Sequence, residues 1–267
     1  MADPATRVAV IIDPVLDYDS KSGRTGTTSA QLLINTAIEN SYRIEWILET
    51  HAHADHISAA PFIRKNLGGR IAIGKGIIQV QKTFKTIFNL DDGFAVDGSQ
   101  FDHLFDTDEV FSVGESRARV IPTPGHTNDS VSYLIGDAVF VGDSLFMPDG
   151  GSARCDFPGG DAAVLYQSIQ RLFDLPEATR MFVCHDYSPG GREPRCETTV
   201  GEQKQKNIHA ASTVSENDFI AMRTSRDATL TMPALIIPSV QVNIAAGIFP
   251  AAEDNGVIYL KVPIDIL

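Results

Sequence analysis

The sequence predicts a layered α/β sandwich, in which two sheets pack face to face and helices cover their outer sides. Amphipathic helical segments alternate with short apolar strands over the first ninety residues, and a series of short strands with turns follows between residues 101 and 141. A further helix and strand end the pattern near residue 185. This order of elements favours two helix-covered sheets over a doubly wound fold.

The predicted elements of the first ninety residues are set by hydrophobic periodicity and by turn residues. They are strands at residues 8–13, 44–48 and 70–73, helices at 30–39, 55–66 and 76–90, and a Gly/Ser/Thr-rich loop at 20–29. Asp55 is the expected N-cap of the second helix, and Gly68-Gly69 is expected to end it.

The second half is predicted to contain strands at residues 101–105, 110–113, 117–121, 131–135, 138–141 and 181–184, with a helix that opens at Asp161 and stops before Pro176. From about residue 211 the sequence becomes polar and then proline-spaced. We therefore expect one main domain, residues 1–210, and a tail, residues 211–267, that packs on this domain or on a partner subunit.

Composition excludes several classes of partner. The net charge of −12 argues against nucleic acid and against an anionic membrane surface. No apolar stretch approaches the roughly 18 residues that a membrane helix needs, and residues 1–12 lack a secretory pattern. The three cysteines, Cys155, Cys184 and Cys196, fit neither a disulfide framework nor a zinc finger. We expect a soluble, cytoplasmic protein, with Cys155 and Cys184 in structural roles.

Residues 50–56, Thr-His-Ala-His-Ala-Asp-His, contain the main chemical signal of the chain. Imidazole and carboxylate are ligands that suit zinc and iron. In an extended turn His51 and His53 can face one ion, while Asp55 and His56 face a neighbouring position. Helix capping would explain Asp55 but none of the histidines.

Three further candidate ligands follow predicted strands: His126, Asp143 and His185. Strands that end at one edge of a sandwich bring their last residues together, so these side chains can converge with the cluster at residues 51–56. His126 lies in Thr-Pro-Gly-His-Thr, where proline and glycine favour a sharp turn. His103 and His209 have no such context and are expected to be ordinary surface or core residues.

The pattern His51-x-His53-x-Asp55-His56, then Gly125-His126, Gly142-Asp143 and His185, resembles the metallo-β-lactamase superfamily. This resemblance implies a four-layer αβ/βα sandwich with a metal site at one edge and the tail as a C-terminal extension. The reaction is left open, because one fold serves hydrolases, oxidoreductases and nucleases.

Two branches of the superfamily match the ligand pattern. A glyoxalase II-like thioesterase would hold two Zn²⁺, the first on His51, His53 and His126 and the second on Asp55, His56 and His185, with Asp143 bridging. A persulfide dioxygenase would hold one Fe²⁺ per chain on His51, His126 and Asp143. In that branch His53, Asp55, His56 and His185 would surround and orient the ligands.

Residues outside the ligand pattern favour the dioxygenase branch. The segment Gly-Ser-Ala-Arg-Cys-Asp-Phe at 151–157 and His185-Asp186-Tyr187 resemble elements of persulfide dioxygenases. The tail, with Pro238, Asn243 and Gly247, is also similar to theirs and lacks the helical substrate domain of glyoxalase II. Ala52 departs from several relatives that have cysteine there, a change expected to be neutral.

The resemblance implies oxidation of glutathione persulfide by O₂ to sulfite and glutathione, in sulfide detoxification. Asp55 and Tyr187 are then the candidate catalytic residues. Arg154 and Tyr187 are the candidate substrate contacts, with an Arg154 pair to Asp156 as the alternative. The other two hypotheses are a dinuclear zinc hydrolase and a non-enzymatic metal- or sulfur-responsive binding protein. A homodimer is expected from the tail alone.

Overall fold

The computed structural model of the protein describes residues 1–266 of the 267-residue chain. Its strands, in chain order, are β1 (Val8–Ile12), β2 (Val15–Asp19), β3 (Arg24–Gly26), β4 (Arg43–Leu48), β5 (Ile57–Ser58), β6 (Arg70–Gly74), β7 (His103–Phe105), β8 (Val110–Val113), β9 (Ser116–Pro122), β10 (Val131–Ile135), β11 (Ala138–Phe140), β12 (Arg180–Phe182) and β13 (Glu197–Thr199).

The helices are α1 (Thr28–Glu39), α2 (Ala60–Leu67), α3 (Ile77–Ile87), α4 (Ala162–Phe173), α5 (Val200–Lys206), α6 (Glu216–Asp227) and α7 (Ile236–Asn243), with a 3₁₀ turn at Pro189–Gly191. No helix in residues 1–266 combines the length and apolar character needed to cross a membrane. The chain forms two compact units. The first comprises Met1–Phe105, Val113–Glu115 and the described residues from Met232 onward, and the second comprises Asp106–Ser112 and Ser116–Thr231.

The first unit is built on a parallel sheet with the order β1-β4-β6-β7. The central strands are almost continuously apolar, and Trp46, Ile47 and Leu48 are buried, as expected for parallel strands that are covered on both faces. Ile12 pairs with Leu48 at the carboxyl ends of β1 and β4. Residues that follow these two strands are therefore neighbours at one sheet edge.

The second unit is built on a mixed sheet with the order β13-β12-β11-β10-β9-β8. β11 and β12 are parallel, whereas β10 is antiparallel to both β9 and β11. The carboxyl ends of β9, β11 and β12 therefore lie at the same edge. Leu165, Ile169 and Phe219 on α4 and α6 belong to the buried cluster of this unit.

Several sequence-based expectations are wrong in detail. Asp55 caps no helix: α2 begins at Ala60, because residues 57–58 first pair with Val15 and Leu16 of β2. The expected loop at 20–29 contains β3, which pairs with β2. Cys184 is exposed and lies beyond β12, so it is not part of a buried strand.

The tail is more regular than expected, because it contains α6 and α7. Ser215 caps α6 by accepting a hydrogen bond from the Asp218 amide. Residues 211–231 group with the second unit and residues from Met232 onward with the first. The proposed boundary at residue 210 stays a prediction.

Candidate metal centre

Asp13 joins the carboxyl ends of the neighbouring strands β1 and β4 of the first unit. It follows β1 with a positive φ of 49°, and its carboxylate accepts hydrogen bonds from the Thr50 amide at 2.7 Å and the Thr50 hydroxyl at 2.9 Å. These contacts fix Thr50 at the start of residues 50–58, which we call the histidine-rich loop and which follows β4.

His51 is oriented by the same threonine. The Thr50 hydroxyl gives its only proton to Asp13, so at 3.0 Å it accepts a hydrogen bond from His51 Nδ1. This tautomer places the lone pair on His51 Nε2, and the ring is 2% exposed. His51 is therefore prepared to ligate through Nε2.

His53 lies against two buried carboxylates. Its Nε2 is 2.9 Å from Asp13 Oδ1 and 3.9 Å from Glu49 Oε2. Burial disfavours the imidazolium, but the Asp13 carboxylate, with smaller contributions from Asp55 and Glu49, outweighs burial and raises the pKa of His53 to about 10. Burial and the Asp13 charge raise the pKa of Glu49, whose carboxyl also contacts the Ser58 hydroxyl.

His53, Asp55 and His56 form a compact group in which one ligand atom from each residue lies within 4.8 Å of the others. His56 Nδ1 is 3.4 Å from Asp55 Oδ2, while His56 Nε2 is buried with no hydrogen-bond partner among residues 1–266. Burial, together with the nearby charge of His53, lowers the pKa of His56. A neutral imidazole with an unsatisfied buried nitrogen fits a metal ligand or its close neighbour.

His126 is placed by a turn that requires glycine. Gly125 has a φ of 133°, and a Cβ atom there would lie 2.4 Å from Leu165 Cα. His126 Nδ1 lies 2.7 Å from the Arg154 carbonyl oxygen. Because a carbonyl can only accept, Nδ1 carries the proton and Nε2 carries the lone pair.

Asp143 lies between two imidazoles of the second unit. Its Oδ2 is 3.7 Å from His126 Nε2, and its Oδ1 is 3.5 Å from His185 Nε2. Such distances exceed a hydrogen bond, but two ligands that are each roughly 2.1 Å from a shared ion have a similar separation. Three residues that are far apart in sequence therefore meet, as the strand-end argument predicted.

The donor set of both units fits a transition metal. It consists of imidazole nitrogens and carboxylates in segments that follow strands, and it suits zinc or iron better than magnesium or calcium, which prefer oxygen ligands. His53 and His56 in the first unit and His126 and His185 in the second present these donors.

The candidate substrate contacts lie in the second unit. The Arg154 guanidinium donates to both Asp156 oxygens at 2.6 Å and to the Thr231 carbonyl, also at 2.6 Å, which is the alternative arrangement expected for this arginine. Tyr187 is 68% exposed, and its ring stacks at 6.1 Å from the His185 ring. Its role stays a prediction.

Sequence reasoning missed several residues that support the ligands. Asp13 and Glu49 flank the histidine-rich loop, and an acidic residue directly after each of two neighbouring buried strands was the available signal. His209, expected to be a surface or core residue, is buried and accepts a hydrogen bond from the Ser152 amide at 2.9 Å. His103 packs beside Trp46, at 5.8 Å between ring centres.

Comparison with known proteins defines the class. The family model of the metallo-beta-lactamase superfamily matches residues 8–185. The chain belongs to this superfamily and has its fold, so the predicted α/β sandwich is confirmed at that level. With the donor set described above, membership supports a metal-dependent enzyme.

Individual relatives differ in the activity that their names state. The chain is 50% identical to a probable metallo-hydrolase of Burkholderia pseudomallei, over 99% of this chain and 94% of the relative. It is 27% identical to the mitochondrial persulfide dioxygenase ETHE1 of Bos taurus, over 93% of this chain and 83% of the relative. The crystal structure of ETHE1 from Myxococcus xanthus matches with a TM-score of 0.73 and 31% identity, over 93% of this chain and 92% of that one.

Proposed function

We propose that the protein is an iron-dependent dioxygenase that oxidises glutathione persulfide. In the balanced reaction, the persulfide, O₂ and one water give glutathione, sulfite and two protons. The terminal sulfur is oxidised, O₂ is reduced, and the sulfur–sulfur bond breaks with glutathione as the leaving group.

The donor chemistry of His51, His126 and Asp143 is the observation that carries this proposal. Hydrogen bonds to Nδ1 of His51 and of His126 leave Nε2 of each ring as the ligating nitrogen. With Asp143 they make up the two-histidine, one-carboxylate set of non-haem Fe(II) oxygenases. A two-zinc site would also require His53, whose Nε2 lies 2.9 Å from Asp13 Oδ1, to ligate through Nδ1.

The comparisons give additional support. The similarity to the bovine persulfide dioxygenase and to the Myxococcus structure extends over more than nine tenths of this chain. The segment at 151–157, which resembles a persulfide dioxygenase element, supplies the carbonyl that orients His126.

Bound Fe²⁺ would supply open positions at which O₂ and the persulfide sulfur are activated. The surrounding residues would orient the ligands and balance the charge of the ion. Asp55 would hold His56 through the contact at 3.4 Å, and we keep Asp55 and Tyr187 as the candidate catalytic residues. The exposed Tyr187 ring would contact the substrate. Arg154 would reach a glutathione carboxylate only by giving up part of its pairing with Asp156.

A dinuclear zinc thioesterase is the alternative, favoured by the name of the Burkholderia relative and by the unsatisfied His56 Nε2. In that case His53 would ligate through Nδ1, and the two Zn²⁺ would supply an activated water as the nucleophile.

Metal analysis of protein purified without added metal, combined with oxygen uptake on glutathione persulfide, tests the proposal. About one iron per chain with persulfide-dependent uptake is the expected result. Two zinc ions, no uptake and anaerobic thioester cleavage would replace it with the hydrolase, whereas neither activity would favour the binding protein.

A further inference from the structure

The end of α7 contacts the backbone of the histidine-rich loop. The Asn243 side-chain amide donates to the His53 carbonyl and to the His56 carbonyl, at 2.8 Å each. Its oxygen accepts a hydrogen bond from the Ser58 amide, also at 2.8 Å. One side chain therefore binds three backbone groups within six residues of the loop.

The site of this contact is buried and closely packed. Asn243 is 5% exposed. Just beyond it, Gly247 has a φ of 80°, and a Cβ there would lie 2.7 Å from Pro61 Cδ and 3.0 Å from the Ser58 carbonyl oxygen. The tail backbone therefore approaches the loop as closely as glycine allows.

A second side chain fixes the helix end. Gln81 on α3 donates to the Ile244 carbonyl at 2.8 Å and accepts from the Gly98 amide at 3.0 Å, and it is completely buried. Because α7 is held at its last turn, Asn243 has little freedom to follow a displaced loop.

We propose that Asn243, at the end of α7, is a positioning residue that sets the geometry of the histidine-rich loop. It binds the backbone on both sides of Asp55, so it limits how far His53 and His56 can rotate away from their partners. Rigid support of this kind commonly changes metal affinity about 10- to 100-fold when it is removed. The inference rests on the metal-binding part of the proposed function and not on the dioxygenase reaction.

Asn243→Asp and Gln241→Glu form a matched pair of variants. Gln241 lies on the same helix, is 5% exposed, donates to the Lys261 carbonyl and accepts from the Lys261 amide. Both changes convert a buried amide into a carboxyl group. Only Asn243→Asp places it against the histidine-rich loop, where an ionised carboxylate cannot donate to the two carbonyls.

The test measures cobalt(II) affinity by competition with a chelator, the visible spectrum of the cobalt(II) protein, and hydrogen exchange of residues 53–58 in metal-free protein. Asn243→Asp should weaken binding at least about tenfold, alter the spectrum and accelerate exchange. Gln241→Glu should leave all three close to wild type, even if its melting temperature falls. Asn243→Ser, which is smaller and neutral, should give an intermediate result and replaces Asn243→Asp if that variant does not fold.

Cobalt affinity within about twofold of wild type, an unchanged spectrum and unchanged exchange in the Asn243 variants would overturn the proposal. So would equal effects of Gln241→Glu, because the tail would then act only through general stability. A wild-type protein that binds no cobalt would instead contradict the metal site, and the exchange measurement would still decide the role of Asn243.

Discussion

The first and second units hold their candidate ligands in different ways. In the first unit the ligands occupy one loop, and buried side chains such as Asp13, Glu49 and Asn243 orient it. In the second unit His126, Asp143 and His185 come from three strand ends, and one of them, His126, is oriented by a backbone carbonyl. Ligands that share one loop are held by charged and amide side chains around that loop. Ligands that follow different strands are brought together mainly because those strands end at the same edge of a sheet.

Loss of a dispersed ligand should have the largest effect. His126→Ala removes the imidazole whose Nε2 faces Asp143 at 3.7 Å, so we expect bound metal and oxygen uptake on persulfide to be abolished. His103→Ala, a histidine outside the candidate site, is the control and should retain both. Full turnover in His126→Ala would refute the assignment of the second-unit ligands.

The second largest effect is expected at the buried ion pair that supports the segment at residues 151–157 in the second unit. Arg223 is 1% exposed and donates to Asp227 Oδ1 at 2.9 and 2.6 Å, and Asp227 accepts from the Cys155 amide at 2.8 Å. Arg223→Met leaves a buried carboxylate unpaired and should lower the free energy of unfolding by about 3–5 kcal/mol in urea denaturation. Arg223→Met combined with Asp227→Leu should recover part of this loss. Equal stability of the single variant and wild type would contradict a structural role for the ion pair.

Asp13→Asn tests the charged support of the first unit. It keeps the shape of the side chain but removes the charge that holds His53 and orients Thr50, so metal affinity should fall about 10- to 100-fold. Asp17→Asn is the matched control, because Asp17 also accepts hydrogen bonds in the first unit, from Ser29. If Asp13→Asn binds metal as tightly as Asp17→Asn, the proposed difference between the units is wrong.

His209 gives the second unit a pH dependence of its own. Burial and the Arg223 charge lower its pKa to about 4. Between this value and its ordinary pKa of about 6.5 the unfolded chain binds a proton that the folded chain does not. The contribution of neutral His209 to the free energy of unfolding should therefore be fully present above about pH 6.5. It should fall by on the order of 2 kcal/mol as the pH approaches 4. His209→Asn should flatten this part of the profile in urea denaturation, and an unchanged slope would exclude His209 as its source.

The smallest effect is expected at the tail surface. Val262 and Ile264 are 60% and 74% exposed, and exposed apolar groups of this kind favour association, so the homodimer stays our prediction. Size-exclusion chromatography with light scattering should find a dimer that Val262→Ser combined with Ile264→Ser dissociates. Ile38→Ser, at a residue on α1 that is 63% exposed, should leave it intact. A monomeric wild-type protein would contradict the predicted homodimer.

The sequence predicted the ligands better than it predicted their supports. Imidazoles at fixed spacing after apolar strands are visible locally, and so is the turn at Gly125. The positions of Asn243 and Arg223 depend on where a distant helix packs. α7 contains Pro238 and several β-branched residues, so its intrinsic helix propensity is low and tertiary burial decides its structure. The predicted helix cap at Asp55 was wrong for a related reason: residues 57–58 pair with β2, so α2 begins only at Ala60.

The hydrogen bond between Asn243 and the His53 carbonyl joins residues that are 190 positions apart. During synthesis the histidine-rich loop therefore leaves the ribosome long before its amide partner exists. The loop gains this restraint only after residue 243 has emerged. Completion of the loop is thus linked to synthesis of residue 243, and a product terminated before that residue would contain all the candidate ligands without this restraint.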